Sequence, residues 1–236
     1  MPQIFLYNLL LLTVPNLFGI DLTNPLVLLL LFLTTHVLAG AVAGLILVYA
    51  GLPPDDELPL SSYERRLIFY LYPLYPIFFR PSQFGLGEYA VWAVFFMPVF
   101  EEIMFFAMPS LYGFVTGDFH MAFAMSLICG TFWIIIHLFR MANAWLYAGY
   151  SLKQIALGLL AGLILFVPSC IVSSMLWVSG LGVVSILFHS TYNGLVVLGK
   201  LARLSSRPVS RIKHAPRKYY RIRKRKYYII RELEDI

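Results

Sequence analysis

Lys153-QIALGLLAGLILFVPSCIVSSMLWVSGLGVVSILFHSTYNGLVVLG-Lys200 is the stretch whose reading decides the fold: its 46 inner residues include no Asp, Glu, Lys or Arg. About 20 apolar residues cross a bilayer as a helix, so this stretch alone holds two spans, with a turn near Gly180. Its apolar runs do not alternate with a period of two. In lipid, moreover, backbone polar groups must be satisfied within each segment, so the spans are helices rather than barrel strands. Outward from this stretch the chain keeps the same character. Of its 236 residues, 60% are hydrophobic and 13% charged, a balance that a soluble domain of this length cannot hide in its core. The sequence predicts an all-α, polytopic transmembrane helical bundle of about six spans, with helices near 3–20, 24–50, 87–113, 122–148, 152–178 and 181–202, each ended by Gly, Pro or a polar cluster.

The segment from Gly51 to Gly87 opens with Leu52-Pro53-Pro54-Asp55-Asp56-Glu57 and then offers only a Pro-broken apolar run, too short to span. It reads as an interfacial or re-entrant elbow, with Tyr63, Tyr70, Tyr72 and Tyr75 at headgroup depth. Residues 1–20 lack a basic leader region and a small-residue cleavage site and read as a retained helix. Cys129 and Cys170 fall within predicted spans and read as small packing residues. Gly40/Gly44 and Gly158/Gly162 have the spacing that lets helices approach closely.

Twelve of the 18 Lys and Arg residues lie between Arg203 and Arg231. The positive-inside bias therefore puts this tail in the cytoplasm, and an even number of spans puts the N-terminus there too. In that orientation the connections near Asp21, Asp118 and Gly180 face out and carry no Lys or Arg. The chain divides into a transmembrane domain, 1–202, with a catalytic-type core at 87–202, and a basic tail, 203–236. Tyrosines interleave with the basic residues from Arg217 to Tyr228. For a segment tethered at a leaflet, anionic lipid is the simpler partner and nucleic acid the weaker one.

Five polar residues stand inside the apolar regions: Glu101, Glu102, His137, His189 and Asn193. An ionisable group at the bilayer centre opposes insertion by roughly 2.5–3.5 kcal/mol, so each is a functional-site candidate. Adjacent Glu101 and Glu102 point about 100° apart on a helix, so one acts and the other supports. A carboxylate inside a bundle serves as a general base for water where neighbouring donors offset its burial. Pro98, just before the pair, removes a backbone hydrogen bond and predicts a kink in this helix, a device for opening a wet pocket. Trp133 and His137 are four apart, as are His189 and Asn193, so each pair shares a helical face. His189 with Asn193 offers two convergent donors for a developing oxyanion. The same residue types also ligate zinc, although no His-Glu-x-x-His helix is present. His36, within a long apolar helix, is expected to bond a neighbour.

Glu101-Glu102, an aromatic residue four before His137, and His189-x-x-x-Asn193, in that order on successive helices, resemble the three-motif pattern of the CPBP family. These are the CAAX-processing and bacteriocin-processing-type glutamate intramembrane proteases, also called the Abi family. The resemblance covers about residues 87–200, with 36 residues from Glu101 to His137 and 52 from His137 to His189. It implies a helical bundle around a water-accessible polar cavity. In it Glu101 activates a water with help from His137, and His189 and Asn193 form the oxyanion hole. It further implies endopeptidase activity near the membrane surface on a membrane-associated protein or prenylated peptide, with neither metal nor cofactor.

The chain departs from the pattern at one position, because the family's first motif ends in Arg four residues after the second Glu and here that residue is Phe106. Arg140, three residues after His137 on the same face, is the expected substitute. For both histidines to reach mid-membrane, the helix carrying Arg140 must then continue to about Ala148. Two further classes stay open: a non-hydrolytic binding or immunity-type membrane protein of the same fold, and a transporter using the Glu and His residues as a proton or cation relay. Many carriers are built from repeated halves, and no convincing internal repeat appears here.

Overall fold

The computed structural model describes residues 19–54, 58 and 86–205. The expected first helix at 3–20, nearly all of the elbow and all but the start of the tail lie outside these residues. Every regular element among the described residues is helical. Five helices there are long and apolar enough to cross a membrane: Pro25–Ala50, Tyr89–Thr116, Phe119–Tyr147, Leu152–Val178 and Gly182–Lys200. This is a membrane protein by that measure. We label the helices α1 (Pro25–Ala50), α2 (residues 86–116), α3 (Phe119–Tyr147), α4 (Leu152–Val178) and α5 (Gly182–Ser205). The chain forms two compact units, Met1–Leu195 and Val196–Ile236. Everything below concerns the first unit.

Local chemistry sets the helix ends. Asn24 caps α1 by accepting from Leu26 N, and Gly51 ends it in the left-handed region at φ 66°, where a Cβ would be strained. Gly117 ends α2 in the same way, at φ 78°. Just before α1, Asp21 accepts from the hydroxyl and backbone N–H of Thr23, and these bonds hold its exposed carboxyl below the usual carboxylate range. Ser151 and Gln154 form a reciprocal capping box at the start of α4, while the Gln154 side-chain N–H also reaches the Ala50 carbonyl. Together with Trp145, which donates to the Pro53 carbonyl, that bond ties the end of α1 to the α3–α4 connection. At the opposite end, Leu22 packs with Val172, Leu176 and Leu181. The helices thus run alternately between two ends, as the sequence predicts.

The α2 helix shows what its prolines cost. It widens into π-helical turns at Trp92–Phe96 and Ile103–Ala107, and Pro98 and Pro109 follow these turns by two residues. A proline has no N–H, and its ring crowds the preceding turn; a wide turn relieves that crowding. Where the sequence predicts a kink at Pro98, the helix carries a π-helical turn just ahead of the proline.

Glycines decide how closely the helices approach. A Cβ on Gly40 would lie 2.7 Å from the Tyr192 ring, and one on Gly162 2.6 Å from Leu138. Gly158 is packed under Trp145 and Leu52, whereas Gly44 faces open space. Close approach therefore holds at three of the four expected glycines.

The α4–α5 turn differs in burial from the other two connections. Asp21 and Asp118 are exposed, but residues 172–182 are buried throughout, Gly180 among them. The turn is enclosed by the bundle and does not form an exposed connection. The α3 helix continues past Arg140 to Tyr147 with Ala148 as its cap, matching the extension that the histidine depths required.

Candidate active site

Glu101 and Glu102 sit mid-way along α2, both buried, and diverge as adjacent helical residues must. Glu101 faces α3 and α5. Its Oε2 accepts from the Trp133 indole N–H at 2.8 Å, and its oxygens lie 3.7 Å from His137 Nε2 and 3.7 Å from His189 Nε2. Glu102 faces α4 and α5. It accepts from the Ser173 hydroxyl at 3.1 Å, the Trp177 indole at 2.7 Å and the Ser185 hydroxyl at 2.8 Å, and it lies 3.3 Å from His189 Nδ1. The Ser185 and Ser173 oxygens are 2.9 Å apart.

The two carboxylates therefore differ in kind. Glu102 is surrounded by donors from three directions and is 1% exposed, so its lone pairs are committed. Glu101 has one firm donor and two imidazoles at longer range, so it retains capacity to accept a proton. Ring geometry settles the tautomer of His137. Its Nδ1 lies 2.9 Å from the Trp133 carbonyl, which can only accept, so Nδ1 carries the proton and Nε2 faces Glu101. His189 spans the pair, with one nitrogen toward each carboxylate. Phe166 closes the site on the α4 side, its ring 5.3 Å from Trp133 and 5.1 Å from His137.

Asn193 shares a face with His189 but bonds elsewhere: its Nδ2 donates to the Ala93 carbonyl at 2.8 Å. In the i→i−5 register of a π turn, the residue whose N–H would reach Ala93 is residue 98, a proline. Asn193 thus supplies the donor that Pro98 lacks and joins α5 to α2. One of its two amide N–H groups is spent in this way.

Phe106, at the position of the family's Arg, is 2% exposed and packs with Trp133 and Cys170 against Gly130. The partners of the two carboxylates are indole, hydroxyl and imidazole groups, and Phe106 supplies none of them. Arg140 lies half-buried on α3, one turn beyond His137.

Sequence reasoning missed Ser173, Trp177 and Ser185. The signal was present, since Ser173/Trp177 and Ser185/His189 have the same four-residue spacing as the pairs it did use. His36 bonds its neighbour Thr35 at 2.8 Å, as expected, and its ring also meets Phe188 and Tyr192, on either side of His189. Among the described residues, no group of three or more His, Cys, Asp or Glu side chains has the arrangement of a metal cage.

No family model, no curated protein and no solved structure matches the chain.

Proposed function

We propose that the protein is an intramembrane endopeptidase in which Glu101 activates water for attack on a peptide bond, the activity implied by its resemblance to the glutamate intramembrane proteases. One observation carries the reading: two histidines from different helices present Nε2 to the oxygens of one buried carboxylate, both at 3.7 Å.

Each group has a part in the reaction. Glu101 takes a proton from a water that His137 Nε2 helps to orient, and the oxygen attacks the peptide carbonyl. The carbonyl oxygen becomes an oxyanion. His189, with Nδ1–H held by Glu102, donates from Nε2 to that oxyanion when protonated, and Asn193 contributes its remaining N–H. The proton on Glu101 then passes to the leaving amine as the C–N bond breaks. Glu102 is a positioning residue: it orients His189 and does not touch the substrate. The donors that surround the pair line a small polar cavity within the bundle. The substrate class is a membrane-associated protein or peptide, prenylated or not, cleaved near the membrane surface. Both termini lie in the cytoplasm, and the basic tail engages anionic lipid.

A panel of quenched-fluorescence peptides, membrane-anchored with and without a prenyl group, tests this with purified protein in liposomes. The reading predicts cleavage that survives a chelator. Loss on chelation would return the site to metal chemistry, and no cleavage of any peptide would favour a binding protein of the same fold.

A further inference from the structure

Two hydroxyls near the site have no hydrogen-bond partner from the protein, and both are completely buried: Ser126 on α3 and Ser174 on α4. Helix register brings them together. The α3 and α4 helices pack antiparallel through Gly130 against Cys170, Trp133 against Phe166, and Leu138 and Met141 against Gly162. One turn beyond the Gly130/Cys170 contact, this register sets Ser126 on α3 opposite Ser174 on α4. The α2 helix adds a third hydroxyl. Phe106 packs on Gly130, and Gly113 on Ala122, so the intervening Ser110 stands level with Ser126. Ser110 is also fully buried and donates to the Ala107 carbonyl at 2.7 Å, which leaves its oxygen lone pairs free to accept. Ser174 also lies beside the Cys170 thiol, a weak partner.

Buried hydroxyls are nearly always paired, and an orphan is costly enough to need a cause. The geometry points to a water-binding site: Ser110, Ser126 and Ser174 hold a buried water molecule about two helical turns along α2 from the carboxylate pair. A buried water typically makes about three hydrogen bonds, and three hydroxyls from three helices supply them. Hydroxyls without a carboxylate favour neutral water over a cation. Water binding stands without the hydrolytic reading; only its use as a store of reacting water for Glu101 rests on that reading.

Thermal unfolding of purified Ser126→Ala, Ser174→Ala and the double variant tests the site with no measurement of cleavage, so its failure is distinguishable from failure of the proposed activity. If water is bound, each single change strips it of a partner and lowers Tm, and the double lowers Tm by less than the sum of the two. A rise or no change in Tm for either single variant overturns the site, because removing a dry or back-bonded hydroxyl gives that result. A high-resolution experimental structure provides a second measurement. Density within hydrogen-bond distance of both Ser126 and Ser174 Oγ supports the site. Hydroxyls turned onto their own helix carbonyls, with no density between them, overturn it.

Discussion

Replacing Glu102 separates its positioning role from chemistry, and its hydrogen bonds set the size of the effect. In Glu102→Ala the two serines can satisfy each other, since their oxygens are already 2.9 Å apart, but the Trp177 indole N–H has no such recourse. One orphaned buried donor costs about 1–3 kcal/mol, and deleting the side chain adds a cavity of a few methylenes, so we expect a loss of about 2–4 kcal/mol. Glu102→Gln behaves differently. Its amide oxygen can face Trp177 and Ser185 while its N–H₂ faces Ser173 and His189 Nδ1, with the serine hydroxyl and the imidazole tautomer reversing roles. Only the charge assistance is lost, about 1 kcal/mol per bond or less. The imidazole reversal moves the His189 proton to Nε2, facing Glu101. Glu102→Gln should therefore fold nearly as well as wild type yet show a displaced pH profile for cleavage, whereas Glu102→Ala loses stability outright. Thermal unfolding in detergent, followed by tryptophan fluorescence, reads the first effect and initial rates against pH the second. If Glu102→Ala is as stable as wild type, or Glu102→Gln is the less stable of the two, the donor assignment is wrong.

Other substitutions test the helix contacts. Asn193→Ala orphans the Ala93 carbonyl and should cost about 1–3 kcal/mol; Pro98→Ala restores a backbone N–H and should recover most of it, as a double-mutant cycle on Tm would show. Gly130→Ala drives a methyl into Cys170 and Phe106 and should cost about 1–3 kcal/mol, whereas Gly44→Ala, with open space around it, should be neutral or stabilising by up to about 1 kcal/mol. Phe106→Arg installs the residue type of the family's motif, yet that position is sealed among Trp133, Cys170 and Gly130, so the yield of folded protein should fall sharply in a size-exclusion assay.

What was legible in the sequence follows from energetic cost. Ionisable groups in a bilayer are expensive enough to be noticed singly, and Glu101, Glu102, His137 and His189 do converge. The spans were legible because a long uncharged run such as 154–199 admits few other structures. The four-residue spacing of Ser173/Trp177 and Ser185/His189 was visible but easily passed over, because indoles and hydroxyls are cheap in a helix and look like packing until a carboxylate is placed beside them. The oxyanion role read for Asn193 also overlooked a backbone need, since the orphaned Ala93 carbonyl appears only once Pro98 is known to follow a π turn. Charge counting assigns a side of the membrane from where Lys and Arg are missing and carries no information about how far an uncharged turn, such as that at Gly180, is enclosed by its neighbours.

The central claim is that Glu101 activates water. Cleavage in ¹⁸O-labelled water by the wild type and by Glu101→Gln tests it most directly. The account predicts one labelled oxygen in the new C-terminal carboxyl of the wild-type product, and a rate lower by about 10²–10⁴-fold for the variant. A Glu101→Gln protein that folds and cleaves at the wild-type rate would contradict it.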